Sequence, residues 1–251
     1  MRETNAVFPL VDSPPSAPTP GSPDKAAVRS MFDRIAPRYD LLNHLLSAGI
    51  DTRWRKRAVD LLELPGPARI LDLCTGTADL LIEALGRDPG HFGVGADLSG
   101  QMLVRAAGKL ERRGLSSRSG LVGGDGERLP LADRSFDGAL VSFGIRNMGD
   151  PPAALRELRR VLRPGGRLVV LEFSTPGGAL GALYRLYFHR ILPLIGGWVS
   201  GDRSAYSYLP ASVARFPGPR EFAALLEGAG FPSVVVRPLS GGIAHLYRGE
   251  A

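Results

Sequence analysis

The residues best placed to do chemistry lie in a turn that follows a short apolar run. The run extends from Arg69 to Leu73, and small residues that include Gly76 lead from it into a helical pattern. This order predicts a strand, a tight turn and the start of a helix. About 20 residues further on, a second apolar run ends in Asp97, where an acid can bind the two hydroxyls of a ribose. Gly76 has no side chain to keep a ligand away from the backbone.

The charge of these residues indicates which cofactor they suit. The sequence lacks the G-x-G-x-x-G of dinucleotide sites, since Ala78 and Leu81 take the later glycine positions, and it lacks the phosphate-binding G-x-x-x-x-G-K-[ST]. It has instead four carboxylates, Asp72, Asp79, Asp97 and Asp125. Acids repel a pyrophosphate but suit a cation with a free ammonium group, such as S-adenosylmethionine. Alternatively, Asp72 is a plain loop residue and Asp79 a first-turn acid favoured by the helix dipole.

Composition narrows the class of protein. The chain has 251 residues, a net charge of +6 and one cysteine, Cys74, so no intrachain disulfide can form and a reducing cytosol is expected. It shows no metal-ligand spacing, no secretory signal and no apolar run of the ~20 residues that span a bilayer. The basic stretch Arg53 to Arg57 fits three interpretations: a surface for anionic lipid, a surface for nucleic acid, or a solvated helix face.

The order of patterns along the chain predicts one α/β domain behind a tail. Residues 1–23 are rich in Pro, Ser and Thr, and we expect them to be disordered. Residues 24–251 form the domain, and its first part, residues 24–65, has a helical pattern that we call the cap because it could cover the cofactor cleft. Residues 177–217 interrupt the later alternation with an apolar, aromatic insertion, for which a lid, a pocket for a greasy substrate and a plain core helix all remain open.

The alternation of patterns predicts a mostly parallel sheet of seven strands. We expect Pro164 to Gly166 to form a turn, and Ser240 to Gly242 to join the last two strands as a hairpin. The predicted strands are 69–74, 92–96, 119–122, 136–142, 167–173, 233–238 and 243–248. The predicted helices after the cap are 78–87, 99–112, 152–162 and 219–229.

Several motifs resemble one family in order and spacing. Residues 31–43 (MFDRIAPRYDLLN) resemble the opening motif of the ubiquinone/menaquinone biosynthesis C-methyltransferases, and residues 142–148 (SFGIRNM) resemble their most telling motif. Weaker matches are residues 46–50 with Trp54, residues 162–168, residues 171–174, and Tyr206, Tyr208 and Leu209. The resemblance runs from about Lys25 to Arg248.

The resemblance implies a class I S-adenosylmethionine-dependent methyltransferase fold, with a seven-stranded mostly parallel sheet and an N-terminal helical cap. It implies transfer of a methyl group to a ring carbon of a prenylated quinol, either demethylmenaquinol or a methoxy-benzoquinol. The candidate cofactor-binding residues are Asp72, Gly76, Thr77, Asp97, Leu98, Asp125, Gly126 and Ser142. Among them, Asp97 is expected to hold the ribose, and Asp125 with Gly126 to flank the adenine. The chain departs from the family at Thr75 and Ala78, where glycine is usual.

The resemblance also gives two candidate catalytic residues, Arg146 and Tyr39. A phenol titrates near pH 10, so the site must favour the phenolate at neutral pH. Because a guanidinium stays protonated, Arg146 is expected to stabilise the phenolate electrostatically rather than act as a free base. Tyr39 could bind the substrate or orient Arg146. The alternatives are that Arg146 only pairs with Asp150 or another neighbour, and that Tyr39 only packs.

The expected partners follow from a prenylated quinol substrate. We expect a cytoplasmic protein with peripheral contact at the inner face of the membrane, made by the cap and by residues 180–199, and no nucleic acid. A homo-oligomer or a quinone-synthesis complex is left open. Three other functions compete with this one: methylation of another lipophilic phenol, a non-catalytic cofactor-binding scaffold, and a dinucleotide oxidoreductase, which Ala78 and Leu81 disfavour.

Overall fold

A computed structural model describes residues 23–47, 49–178, 181 and 203–251. The tail at residues 1–22 and most of the insertion, including the stretch expected to touch the membrane, lie outside these described residues. The strands are β1 (Arg69–Leu73), β2 (Phe92–Asp97), β3 (Ser119–Gly123), β4 (Phe136–Ser142), β5 (Leu162–Phe173), β6 (Val235–Leu239) and β7 (Ala244–Glu250). The helices are α1 (Lys25–Ile35), α2 (Tyr39–Leu46), α3 (Ile50–Leu62), α4 (Asp79–Leu85), α5 (Gly100–Arg112), α6 (Pro151–Val161), α7 (Arg203–Arg215) and α8 (Pro219–Gly228).

The seven strands form one sheet in the order β3-β2-β1-β4-β5-β7-β6. Strands β1 to β5 pair in parallel, and β7 is antiparallel to both β5 and β6. The hairpin predicted at Ser240 to Gly242 is confirmed. The strand order reverses between β1 and β4, and in open α/β sheets this switch point is where ligands bind, at the carboxyl ends of the strands.

The start of β5 differs from the prediction. Pro164 to Gly166 were expected to form a turn before a strand at 167, but the strand begins at Leu162, which pairs with Phe136. Between Leu162 and Arg167 the pairing with β4 is interrupted, and Gly165 has a left-handed φ of 77°, so the chain does turn at the predicted residues, but within the strand. The N–H of Gly165 donates to the carbonyl of Ala251 at 2.7 Å, which ties this segment to the residue after β7.

Side-chain caps and apolar faces fix where the helices begin and what they bury. Asp24 and Asp150 accept backbone N–H groups at the starts of α1 and α6, as N-cap residues do. Helix α6 buries Leu155 and Leu158 against one face of the sheet, and α3 packs Trp54 among buried apolar side chains on the other. Among the described helices, none is long and apolar enough to cross a membrane.

Candidate active site

The turn after β1 carries left-handed backbone at three alternate residues. Cys74 has a φ of 56°, Gly76 of 56° and Ala78 of 69°. Ala78 precedes the first residue of α4, so the strand, turn and helix predicted from the sequence are confirmed. A left-handed conformation strains any residue with a Cβ, which agrees with the glycine that the resembled family usually has where this chain has Ala78.

Asp97, at the end of β2, organises this turn. Its Oδ2 accepts the N–H of Gly76 at 2.8 Å, and its Oδ1 accepts the N–H of Ser99 at 2.9 Å. Burial raises the pKa of Asp97, and the hydrogen bonds from backbone N–H groups oppose that rise. A carboxylate has about four acceptor positions, so Asp97 keeps capacity to accept from a ligand hydroxyl.

Asp72 lies deeper and has one oxygen without a partner. Its side chain is buried, and its Oδ2 accepts the Thr75 hydroxyl at 2.6 Å. Its Oδ1 is buried and has no hydrogen-bond partner among the described residues. Burial raises the pKa of Asp72 to about 7. The backbone N–H of Leu81 in α4 opposes this rise, so Asp72 lies beside the start of that helix. Together with Asp97, Asp72 makes the turn acidic, which suits the positive charge of S-adenosylmethionine rather than a phosphate.

Helix α1 reaches the far end of the cleft through Lys25. The ammonium of Lys25 contacts Asp125 at 2.7 Å and Glu127 at 2.6 Å. Asp125 also accepts the backbone N–H of Glu127, which shapes the loop after β3. Gly126 lies within that loop, and a Cβ there would come within 2.7 Å of the Cε of Met148. A larger residue at this position would therefore require the end of the flexible Met148 side chain to move.

Thr77 binds the cap. Its hydroxyl donates to Asp40 of α2 at 2.5 Å and accepts from the ammonium of Lys109 at 2.9 Å. Lys109 also contacts the Asp40 carboxylate at 2.6 Å. Together these groups connect α2 to the loop after β1 and to α5, so the cap is fastened over the turn by polar contacts.

Tyr39 lies between the two ends of the cleft. Its ring packs edge-on against Phe32, with 6.2 Å between ring centroids. Burial raises the pKa of Tyr39, and a side-chain hydrogen bond with Asn43 opposes that rise; the charges of Arg146 and Asp97 have smaller effects, one lowering and one raising the pKa. Tyr39 is thus near both the predicted ribose carboxylate and the predicted catalytic guanidinium.

Arg146 forms a buried ion pair with Glu172. Its Nη1 is 2.6 Å from Glu172 Oε1, and the two side chains are 7% and 0% exposed. The same nitrogen donates to the carbonyl of Phe143, and the guanidinium carbon lies 5.4 Å from the centroid of the Phe173 ring. Burial raises the pKa of Glu172, and the charge of Arg146 opposes that rise. Asp150, considered from the sequence as a partner for Arg146, instead caps α6.

Sequence reasoning did not assign a role to Glu172, although one signal was available. Residues 168–171 are a run of buried apolar side chains in β5. Glu172 follows this run near the end of the strand and is also fully buried. A charged residue at the end of a central strand needs a partner, because an unpaired buried charge is strongly destabilising. The sequence alone does not show that the partner is Arg146.

A single cleft brings most of the predicted site residues together. It has about 730 Å³ of empty space, including the part open to solvent. Its lining includes Tyr39, Gly76, Asp97, Leu98, Asp125, Gly126 and Ser142. The described side chains that line it do not include Asp72, Thr77 or Arg146. These three side chains are buried, and they contact Thr75, Asp40 and Glu172 respectively.

Comparison with known proteins agrees with this geometry. The chain matches the sequence model of the ubiE/COQ5 methyltransferase family over residues 21–250. It is 52% identical over 221 residues to the demethylmenaquinone methyltransferase of Thermus thermophilus, with 88% of this chain and 99% of that protein covered. It is 51% identical over 222 residues to the ubiquinone/menaquinone biosynthesis C-methyltransferase UbiE of Syntrophotalea carbinolica, with 88% and 92% covered.

Solved structures agree on the fold. A SAM-dependent methyltransferase of Thermotoga maritima superposes with a TM-score of 0.63 at 24% identity, with 88% of this chain and 98% of that one covered. The seven-stranded sheet is therefore that of the class I S-adenosylmethionine-dependent methyltransferases, as predicted. The family predicted from the sequence motifs is confirmed as well. This chain belongs to the ubiE/COQ5 methyltransferase family and is an S-adenosylmethionine-dependent methyltransferase.

Proposed function

We propose that this chain methylates a ring carbon of a prenylated quinol, with demethylmenaquinol as the first acceptor to test. The Thermus relative is named for demethylmenaquinone, and the Syntrophotalea relative for both quinone branches. The observation that carries the proposal is the ion pair between Arg146, in the loop after β4, and Glu172, near the end of β5, together with a cleft lined by Asp97 and Asp125 after the neighbouring strands β2 and β3. The acceptor and the cofactor would thus meet at the switch point of the sheet.

The cofactor would be held by its three polar parts. Asp97 would bind the ribose hydroxyls, Asp72 the ammonium, and Asp125 with Gly126 the adenine. When bound, S-adenosylmethionine supplies an electrophilic methyl group, so the protein's remaining task is to make the acceptor carbon nucleophilic. Support comes from the position of Asp97, Asp125 and Gly126 in the cleft lining.

Arg146 would stabilise the quinol as its phenolate. Loss of the hydroxyl proton raises electron density on the ring carbon, and a phenolate forms at neutral pH only where a cation compensates its charge. Glu172 fixes Nη1 of Arg146, while Nε of Arg146 is buried without a partner among the described residues. That N–H can donate to a phenolate oxygen. Tyr39, which lines the cleft, would orient the acceptor.

The test is methyl transfer from labelled S-adenosylmethionine to short-tailed demethylmenaquinol and, separately, to the methoxy-benzoquinol, each kept reduced. We expect Arg146→Ala to lower kcat by about 100- to 1000-fold, as loss of an oxyanion-stabilising donor does. Arg159→Ala is the control. It removes a guanidinium of α6 that donates to the carbonyl of Gly230. No transfer to either quinol, with cofactor binding intact, would refute the proposal in favour of the scaffold or of another phenol.

We infer in addition that the cap makes peripheral contact with the inner face of the membrane. Arg53, Lys56 and Arg57 are exposed on α3. Two large apolar side chains of the cap, Leu41 and Ile50, are 54% and 38% exposed. Basic residues contribute roughly 1 kcal/mol each near an anionic bilayer, and exposed apolar side chains add burial in the interface.

Vesicle flotation tests the membrane contact. The chain should float with vesicles that contain anionic lipid, and reversal of Arg53, Lys56 and Arg57 to glutamate should abolish flotation. Reversal of three exposed arginines at α5, Arg105, Arg112 and Arg113, makes the same change in net charge on another surface and is the control. Equal binding by both triple variants, or no binding by the unaltered chain, would refute this contact.

A further inference from the structure

Tyr208 of α7 places a hydroxyl beside the Arg146–Glu172 pair. The hydroxyl is buried and has no hydrogen-bond partner among the described residues. Burial raises the pKa of Tyr208, and the charges of Arg146 and Glu172 both act on it, one lowering and one raising it. Helix α7 also contacts the loop that carries Arg146. Tyr208, although distant from Arg146 and Glu172 in sequence, therefore lies near the predicted catalytic pair.

His245 approaches the same pair from β7. It is the residue directly opposite Glu172 in the antiparallel pairing of β5 with β7, so the two side chains share a face of the sheet. Burial lowers the pKa of His245, which favours its neutral form. Its Nδ1 is buried and has no hydrogen-bond partner among the residues that the structure describes. A neutral imidazole beside the pair adds a polar group but no charge.

Unpartnered polar atoms are concentrated around this pair. In the described part of the chain, five side chains have a buried nitrogen or oxygen without a hydrogen bond, and one of these is Asp72. The other four atoms are Arg146 Nε, Asn147 Oδ1, the Tyr208 hydroxyl and His245 Nδ1. Buried polar groups are nearly always satisfied in folded proteins, because an unsatisfied one is destabilising. Such a concentration indicates a site completed by a polar ligand.

The types of these atoms fit a hydroxylated ring. Arg146 Nε can only donate, whereas Asn147 Oδ1 can only accept, since the amide nitrogen of Asn147 is engaged with the Phe143 carbonyl. Tyr208 can do either. A quinol that has lost one proton presents a phenolate that accepts and a second hydroxyl that donates. The mixed set of donors and acceptors therefore matches the reduced ring better than a quinone, whose carbonyls only accept.

We propose that Tyr208 contacts the substrate and that its hydroxyl binds a ring oxygen of the quinol next to Arg146. This inference rests on the proposed function for the identity of the ligand. The hydroxyl of Tyr208 is the group that distinguishes it from phenylalanine, so Tyr208→Phe removes the interaction and keeps the ring. Loss of a hydrogen bond to a charged oxygen corresponds to about a tenfold to hundredfold loss of affinity.

The experiment measures binding of reduced short-tailed demethylmenaquinol by calorimetry under anaerobic conditions, together with methyl transfer. Tyr208→Phe should weaken quinol binding by about tenfold to a hundredfold and raise KM for the quinol in step, with unchanged affinity for S-adenosylmethionine. Ser212→Ala is the control, because it removes a buried hydroxyl of the same helix that is satisfied by the Leu209 carbonyl. Ser212→Ala should bind the quinol as the unaltered chain does.

The outcomes separate this inference from the proposed function. Methyl transfer by the unaltered chain, with equal quinol binding by Tyr208→Phe, overturns the role of Tyr208 and leaves the proposed function standing. Weakened quinol binding in Tyr208→Phe, without methyl transfer by the unaltered chain, overturns the proposed function and supports Tyr208 as a ligand contact. Absence of quinol binding by the unaltered chain overturns the inference.

Discussion

Asp72 should make the folded chain less stable as the pH rises towards neutrality. Burial raises the pKa of its carboxyl group from 3.8 to about 7. Between these two values the folded state keeps a proton that the unfolded state has released. Folding is therefore linked to proton uptake, and the free energy of unfolding falls as pH increases through this window. Above about pH 7, the folded state carries an ionised carboxylate in a buried position.

The size of the effect follows from the shift of the pKa. A change of one unit corresponds to 1.36 kcal/mol, so a rise from 3.8 to about 7 corresponds to a loss of about 4 kcal/mol at alkaline pH. Most of that loss has developed by pH 6, and about 1 kcal/mol remains to be lost between pH 6 and pH 8. Asp72→Asn removes the ionisation and keeps an oxygen to accept the Thr75 hydroxyl.

Urea unfolding of the ligand-free protein at pH 6 and pH 8 measures this difference. The unfolding free energy of Asp72→Asn, relative to the unaltered chain, should rise by about 1 kcal/mol between the two pH values. His91 and His245 have pKa values lowered by burial and shift stability in the opposite sense, but they are present in both proteins and cancel. Asp60→Asn on the exposed side of α3 is the control. Parallel pH dependence of Asp72→Asn and the unaltered chain would refute the reasoning.

Binding of S-adenosylmethionine at pH 7 should release protons, because the ammonium of the cofactor lowers the pKa of Asp72. Calorimetry in buffers of different ionisation enthalpy measures this release, and Asp72→Asn should abolish it. Asp97→Asn should weaken cofactor binding by about tenfold to a hundredfold in the same assay, and unchanged affinity would contradict its ribose role. Gly144→Ala should lower the unfolding free energy by about 1–3 kcal/mol, because its Cβ would overlap that of Cys74. Gly100→Ala, where the space is open, should keep or raise the unfolding free energy, and an equal loss there would contradict the packing argument.

Local pattern was enough to predict the sheet and the cofactor end of the cleft. The parallel strands β1 and β2 are short apolar runs. The turn at Gly76 follows β1 directly and Asp97 ends β2, so a few neighbouring residues were enough to predict each of them. The hairpin at Ser240 to Gly242 was equally local. The start of β5 at Leu162 was not, because it depends on pairing with Phe136 of β4, a residue distant in sequence.

The other half of the site depends on contacts between residues far apart in sequence. Arg146 finds Glu172 26 positions later, and Lys25 reaches Asp125 across 100 positions. Neither spacing carries a periodic signal, since both pairs form only after the strands have taken their order in the sheet. The resemblance pointed to Arg146, but only the folded chain shows which carboxylate holds it.

The polar fastening of the cap has a kinetic consequence. The contact of Lys25 with Asp125 joins two side chains that are each about a quarter exposed, and Lys109 with Asp40 makes a similar contact at the other end of the cap. Exposed ion pairs weaken as dissolved salt screens them, whereas apolar packing does not. We therefore expect dissolved salt to weaken the contacts that hold the cap over the cleft. If release of the demethylated cofactor limits turnover, kcat should rise with ionic strength. The rate of the methyl-transfer step itself should stay the same.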